Sequence, residues 1–336
     1  MLAPQDSWKR IGLIVSVWLF CWLILGQLTY PIVELFTGVD IMEEFTTLSS
    51  VIAKNKEAYL ALGNDSGKMI EFVKEMGEEV QIDRLRPALM LYQAFQALCG
   101  FFLSVMILKF LLKIKPVSYL KLDQKPGWYF VLFLPFLFNF LFPIISLVGQ
   151  TNQEMMSPEI FGSFYHWMED LEYQNGVLSI MMGLSANGTD LVWALVVMAI
   201  IPAIGEEMVF RGLLQRELMS NGTNPHMAIL FTGLFFSAVH FQFFSFIPRA
   251  GLGILLGYLY YWSNSLWVPI LAHFINNASL VILMYFSTKT DSDVNLESVE
   301  YDGYLFSIIL SFVATIFVLR GMFIRRTEFT LEPDNQ

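Results

Sequence analysis

The run from 191 to 214, LVWALVVMAIIPAIGEEMVFRGLL, decides how the rest of the chain is read. Residues 191–205 carry no charge. Glu206, Glu207 and Arg211 then follow before the apolar pattern resumes at Leu213 and Leu214. About 20 mostly apolar residues suffice to cross a bilayer, so this run predicts a membrane-spanning helix with three charges set inside it. An ionisable group near the bilayer centre costs about 2.5–3.5 kcal/mol on insertion scales, and such residues are mostly functional.

The whole chain fits that setting. Its 336 residues are 55% hydrophobic and 15% charged, with a mean hydropathy of +0.55. Soluble domains carry about 25% charged residues. These values exclude a disordered chain and an ordinary soluble enzyme. A net charge of -10 and a pI near 4.9 exclude a basic nucleic-acid footprint. Cys21 and Cys99 lie in apolar runs and read as small core hydrophobes, too few for a disulfide framework or a Cys-based zinc knot.

Working outward, eight spans are predicted, roughly 11–30, 89–112, 128–149, 190–213, 227–246, 250–263, 266–286 and 303–323. The fold class is therefore all-α, a polytopic membrane helical bundle. The first span follows Lys9 and Arg10 and is too long for a signal peptide, so it is read as a retained anchor. The sixth is short, and its Gly253 and Gly257 form a small-xxx-small pattern suited to close packing.

Basic residues set the orientation. Lys9, Arg10, the loop lysines Lys113, Lys115, Lys121 and Lys125, then Arg216, Arg320, Arg325 and Arg326, are expected to face the cytoplasm. The segment 150–189 lacks Lys and Arg but carries Glu154, Glu159, Glu169, Asp170 and Glu172, and is expected outside. The same holds for 287–302, where Lys289 stands against Asp291, Asp293, Glu297, Glu300 and Asp302. Both termini are then cytoplasmic, and Arg249 is the one dissenter. Within the long loop 37–87, Met69, Ile70, Val73, Met76 and Val80 recur at helical spacing and predict a packing face. The chain divides into an N-terminal transmembrane region 1–189 with extracytoplasmic loops 37–87 and 150–189, a core 190–286, and a last span with a cytoplasmic tail, 287–336.

Two of the four histidines also fall deep in spans, in Phe236-Ser237-Ala238-Val239-His240 and His273-Phe274-Ile275-Asn276-Asn277. His166 and His226 fall in predicted loops. Glu207 and Arg211, Phe236 and His240, and His273 and Asn277 are each i, i+4, so each pair shares a helix face. Glu206 is turned about 100° from Glu207, so one glutamate can pair with Arg211 while the other points elsewhere. By helical rise, Glu206, His240 and His273 lie roughly 10, 20 and 11 Å deep and can converge if the helices tilt. Each motif alone has a bland reading: a snorkelling helix end, a hydrogen-bonded core histidine, interhelical glue. Three in separate spans point to a site.

The ordered triplet EExxxR, FxxxH and HxxxN resembles the motifs of the CPBP family, the CAAX-protease and bacteriocin-processing (Abi) intramembrane proteases. The resemblance covers about 190–285. It implies an intramembrane endopeptidase acting on a membrane-associated peptide or protein. In that reading Glu206 is the general base, His240 helps to activate water, His273 and Asn277 polarise the carbonyl and hold the oxyanion, and Glu207 with Arg211 braces the helix. It leaves two mechanisms open. One is metal-free glutamate catalysis. The other uses a divalent metal such as zinc on Glu206, His240 and His273, a ligand set common in catalytic zinc sites. It also implies the lipid bilayer and a peptide substrate as partners, no nucleic acid, and a multi-pass protein of a bacterial cell membrane. The competing reading is a non-enzymatic scaffold or bacteriocin-immunity protein of the same fold.

Overall fold

The computed structural model describes residues 7–62, 66–184, 187–289 and 301–331. The acidic stretch 291–300 lies outside them. Among the described residues the chain is helical, without strands. The helices used below are α1 (Trp8–Thr37), α2 (Ile41–Leu60), α3 (Ser66–Glu79), α4 (Ile82–Leu112), α5 (Trp128–Met155), α6 (Ser163–Gly183), α7 (Gly188–Ser220), α8 (Pro225–Ala238), α9 (Phe246–Ser263), α10 (Trp267–Lys289) and α11 (Tyr301–Ile324).

Among the described residues seven helical stretches are long and apolar enough to cross a membrane: α1, α4, α5, α7, α9 with the turn before it, α10 and α11. The eighth apolar helix, α8, has 14 residues. The bundle is thus polytopic, as the sequence indicates, but the predicted span 227–246 is not one helix. It breaks at Val239, and the chain turns against α6 before α9 begins. No glycine or proline announces this break, because its residues, from Val239 to Phe246, are mostly apolar. It holds because side chains satisfy its backbone groups, the condition for irregular chain within a membrane protein. Ser237 Oγ donates to the Phe246 carbonyl at 2.7 Å. Asn152 of α5, fully buried, donates to the Phe243 carbonyl at 2.9 Å and accepts from the Ile247 amide at 3.0 Å.

The loops expected at 37–87 and 150–189 are largely helical. Asp40 caps α2 by accepting from the amides of Met42 and Glu43. Val73 and Met76 of α3 are buried, with Met69 and Val80 against them; of the predicted packing face only Ile70 stands outside this cluster, and Phe72 joins it. The face meets Tyr173, Val177 and Met181 of α6 and Leu85, Ala88 and Leu89 of α4. Helices α2, α3 and α6 therefore form a layer at one end of the bundle. Lys56 of α2 ties that layer together, 2.9 Å from Glu169 and 2.5 Å from Asp170. His166 lies on α6 and His226 on α8, both helical rather than in loops.

The opposite end gathers the basic segments. Arg10 Nε stands 2.9 Å from Glu217, whose other oxygen accepts from the Tyr119 hydroxyl at 2.5 Å. Arg216 stacks on the Tyr119 ring, and Thr327 donates to the Trp262 carbonyl at 2.8 Å. The N-terminal charges, the 113–125 loop, the end of α7 and the segment after α11 therefore share one end. That is the arrangement the basic-loop pattern calls for.

Two packing faces place the site. The expected close contact at Gly253 is with Gly233 of α8, whose Cα and carbonyl a Cβ on Gly253 would approach to 3.0 Å. Behind α9, Phe130, Leu134 and Leu137 of α5 pack on Leu256, Leu259, Val268, Ala272 and Met322.

Candidate active site

Helix α7 is wound unevenly where its charges fall. Ile201–Glu207 is α-helical, between π-helical stretches at Leu195–Ile200 and Met208–Gln215. Such bulges favour functional sites, and Pro202, without an amide hydrogen, removes one ladder bond here. Gly205 lets the helix lie on α4, since a Cβ there would sit 2.8 Å from Phe101.

Glu207 is completely buried and spends one oxygen twice. Its Oε1 accepts from Arg211 NH1 at 2.7 Å and faces His273 Nδ1 at 2.9 Å. Arg211, equally buried, also donates to the Gly253 carbonyl at 2.8 Å and lies 4.8 Å from the Phe236 ring centroid. The predicted Glu207–Arg211 pair is present and joins α7 to α8, α9 and α10. Phe236 packs as expected, 4.8 Å from the His240 ring and 5.9 Å from the His273 ring between centroids.

His240 lies just past the end of α8, in the turn rather than deep in a helix. Its Nδ1 is 2.6 Å from the Phe236 carbonyl. A carbonyl only accepts, so Nδ1 carries the proton and Nε2 is left as the outward nitrogen. The Glu207 carboxylate fixes His273 in the same sense. Both Nε2 atoms converge on Glu206, each 3.9 Å from its Oε2. That oxygen is buried and has no hydrogen-bond partner among the described residues. Glu206, His240 and His273, read from three separate runs, thus come together.

Asn277 is placed differently. Its Nδ2 donates to the Met198 carbonyl of α7 at 3.3 Å, and its Oδ1 accepts from Asn276 at 3.1 Å. Glu206 and His240 line a cavity of about 560 Å³; His273 and Asn277 are not in its wall. The cavity draws on regions without any motif: Trp18 and Trp22 of α1, Gln93, Gln96 and Phe101 of α4, and Trp167, Leu171, Asn175 and Ser179 of α6.

Arg249, read from sequence as a misplaced loop charge, is part of α9 and of the site's electrostatics. Its NH2 donates to Gln242 Oε1 at 2.6 Å, and Gln242 lines the cavity. Its charge acts on Glu206 and on Glu172 of α6. Burial raises the pKa of Glu172, opposed by Arg249 and by the Ser245 hydroxyl at 3.2 Å. Arg249 thus adds a second cation to a region where Arg211 faces Glu207, and Glu172 is its stronger partner. Only a count of deep cations against deep anions would have flagged Arg249 in the sequence.

The expected metal ligands do not fit a zinc ion as they stand. Each ring has its Nδ1 held by a carbonyl or carboxylate, which suits a ligand histidine. The spacing does not suit one. Ligands at about 2.0–2.1 Å in a tetrahedron stand about 3.4 Å apart, against the 3.9 Å between Glu206 and either histidine. Among the described residues no group of three His, Cys, Asp or Glu side chains has metal-holding geometry.

Comparison with known proteins adds a family match over part of the chain. Residues 188–279 match the model of Rce1-like type II CAAX prenyl endopeptidases. This segment holds all three motifs, so the CAAX-protease resemblance is borne out over it. The uncharacterized protein YpbD of Bacillus subtilis (strain 168) is 32% identical over 112 residues, which cover 32% of this chain and 54% of that protein. The chain thus spans about half the length of this curated relative. No solved structure matches it.

Proposed function

We propose that the Rce1-like segment makes this chain an intramembrane endopeptidase, hydrolysing a peptide bond in a membrane-associated peptide or protein with Glu206 as general base. One observation carries the reading: the unpartnered Oε2 of Glu206 stands 3.9 Å from Nε2 of both His240 and His273. At that spacing Glu206 bonds neither ring directly, and a water held between them can donate to Glu206 Oε2 and to His240 Nε2.

In this reaction Glu206 takes a proton from the water as its oxygen attacks the scissile carbonyl carbon, and His240 Nε2 holds the water in line. Glu207, against His273 Nδ1, stabilises positive charge on that ring, as the carboxylate of a catalytic triad does. Carrying a proton on each nitrogen from the outset, His273 donates from Nε2 to the oxyanion and keeps that proton, and Asn277 exchanges its 3.3 Å bond to Met198 for a bond to the same oxygen. The carbon–nitrogen bond breaks as Glu206 passes its proton to the leaving nitrogen. One water is consumed, and a carboxylate and a protonated amine are released. The buried Glu207–Arg211 pair braces the four helices that carry these groups.

The substrate reaches the cavity from the bilayer, and the protein works as a multi-pass membrane protein with both termini cytoplasmic. The test is cleavage of a membrane-anchored peptide by the reconstituted protein, which Glu206→Gln should abolish while the fold remains intact.

A further inference from the structure

The cavity beside Glu206 has two unlike walls. One is aromatic, with Trp18, Trp22 and Phe210 prominent. The other is polar, and draws Gln93 and Gln96 from α4 and Asn175 and Ser179 from α6. Gln93 and Gln96 sit in a membrane-spanning helix. Among the described residues none of the three carboxamide side chains makes a hydrogen bond, and Gln93 Oε1 is buried without a partner. A polar group kept from water and left unbonded is destabilising by roughly 1–3 kcal/mol; Gln93 Oε1 is such a group, and Gln96 and Asn175 line the same cavity without a bond to the protein among the described residues, so the set suits a ligand with its own donors and acceptors.

The chemistry of the polar wall selects that ligand. A carboxamide offers two N–H donors and one acceptor, the complement of a peptide group. It carries no charge, and Glu206 is the one formally charged residue in the described wall. The spacing agrees. Gln93 and Gln96 are about 4.5 Å apart along α4 and Asn175 and Ser179 about 6 Å along α6 by helical rise. An extended peptide repeats its N–H and C=O on one edge about every 6.6 Å.

We infer that Gln93, Gln96 and Asn175 form a main-chain subsite that holds a neutral, extended peptide segment beside Glu206, with the aromatic wall taking its side chains. The inference rests on the proteolytic reading for the place of the scissile bond, and on the cavity alone for the binding. It makes recognition depend on backbone N–H groups and leaves the sequence of the segment loosely specified.

Binding separates the two claims. The probe is an acylated, uncharged, C-terminally amidated hexapeptide bearing a dansyl group, together with its N-methylated twin, titrated by energy transfer from tryptophan into the full chain in lipid vesicles. On the Glu206→Gln protein the unmethylated peptide should bind about tenfold tighter than its twin, the effect of roughly one to two net hydrogen bonds. Gln93→Leu/Gln96→Leu should weaken the unmethylated peptide about tenfold and leave the twin unchanged. Equal binding of the two peptides by the protein with its glutamines intact, or no saturable binding of either, overturns the inference without recourse to any glutamine variant. An equal loss for both peptides in a folded Gln93→Leu/Gln96→Leu protein overturns it as well. Selective binding by a protein that cleaves nothing would keep the subsite and remove the protease.

Discussion

Oε1 of Glu207 lies 2.9 Å from Nδ1 of His273, between side chains 0% and 4% exposed. Sequence spacing assigns Glu207 to Arg211 alone; the structure gives the same oxygen a second partner across two helices. The brace and the chemistry therefore meet in one atom, and Glu207 should matter to both.

Substituting Glu207 separates these effects. Glu207→Ala leaves Arg211 buried without its carboxylate and should lower stability by roughly 3–5 kcal/mol, read as a fall in thermal midpoint or in yield. Glu207→Gln keeps an acceptor for both partners but removes the charge facing His273. It should fold and lose on the order of 10²- to 10⁴-fold in turnover. A folded Glu207→Gln protein with full turnover would return Glu207 to a purely structural role.

The crossing of α8 and α9 is equally specific. A side chain at Gly253 meets the Gly233 backbone at 3.0 Å and Phe236 at 3.2 Å, whereas one at Gly251 meets nothing within 4 Å. Gly253→Leu should destabilise the protein by at least about 1–3 kcal/mol and disturb Phe236 beside His240. Gly251→Ala should be close to neutral. Thermal unfolding of the two variants side by side checks the contrast.

Much of this was legible in the chain, for a physical reason. Charges and imidazoles inside apolar runs stand out, so Glu206, Glu207, Arg211, His240, His273 and Asn277 could be named, and Gly253 could be read as a packing site. The turn at Val239 could not, because the bonds that hold it come from Asn152, some 90 residues away in sequence. The layer formed by α2, α3 and α6 looked like loops because its charged faces dilute the hydropathy. Gln93, Gln96 and Asn175 belong to no motif, and only tertiary packing brings them to one cavity. Arg249 looked like a loop charge because the short α8 made its helix appear to begin later.

The shared end of Arg10, Tyr119, Arg216 and Thr327 makes the expected topology testable. With that end cytoplasmic, α6 lies outside the cell. In a protein whose Cys21 and Cys99 have been replaced, a cysteine introduced at the exposed Ser163 should react with an impermeant maleimide added from outside. Reaction from the cytoplasmic side alone would invert the arrangement.

Donor spacing at Glu206, His240 and His273 is wider than a tetrahedral zinc allows. Protein purified without chelators should hold far less than one metal ion per chain, and a strong chelator should leave cleavage unchanged. Stoichiometric metal that disappears with His240→Ala and with His273→Ala would make these three residues ligands.

The central claim is that Glu206 directs a water molecule onto a peptide bond. The most direct measurement is mass spectrometry of membrane peptides from vesicles holding the protein in water enriched in oxygen-18, compared with vesicles holding Glu206→Gln. The account predicts shortened peptides whose new C-terminal carboxylate carries one heavy oxygen, produced by the unsubstituted protein and absent with Glu206→Gln. Identical peptide profiles from the two proteins, or shortened peptides without the heavy oxygen, would contradict it.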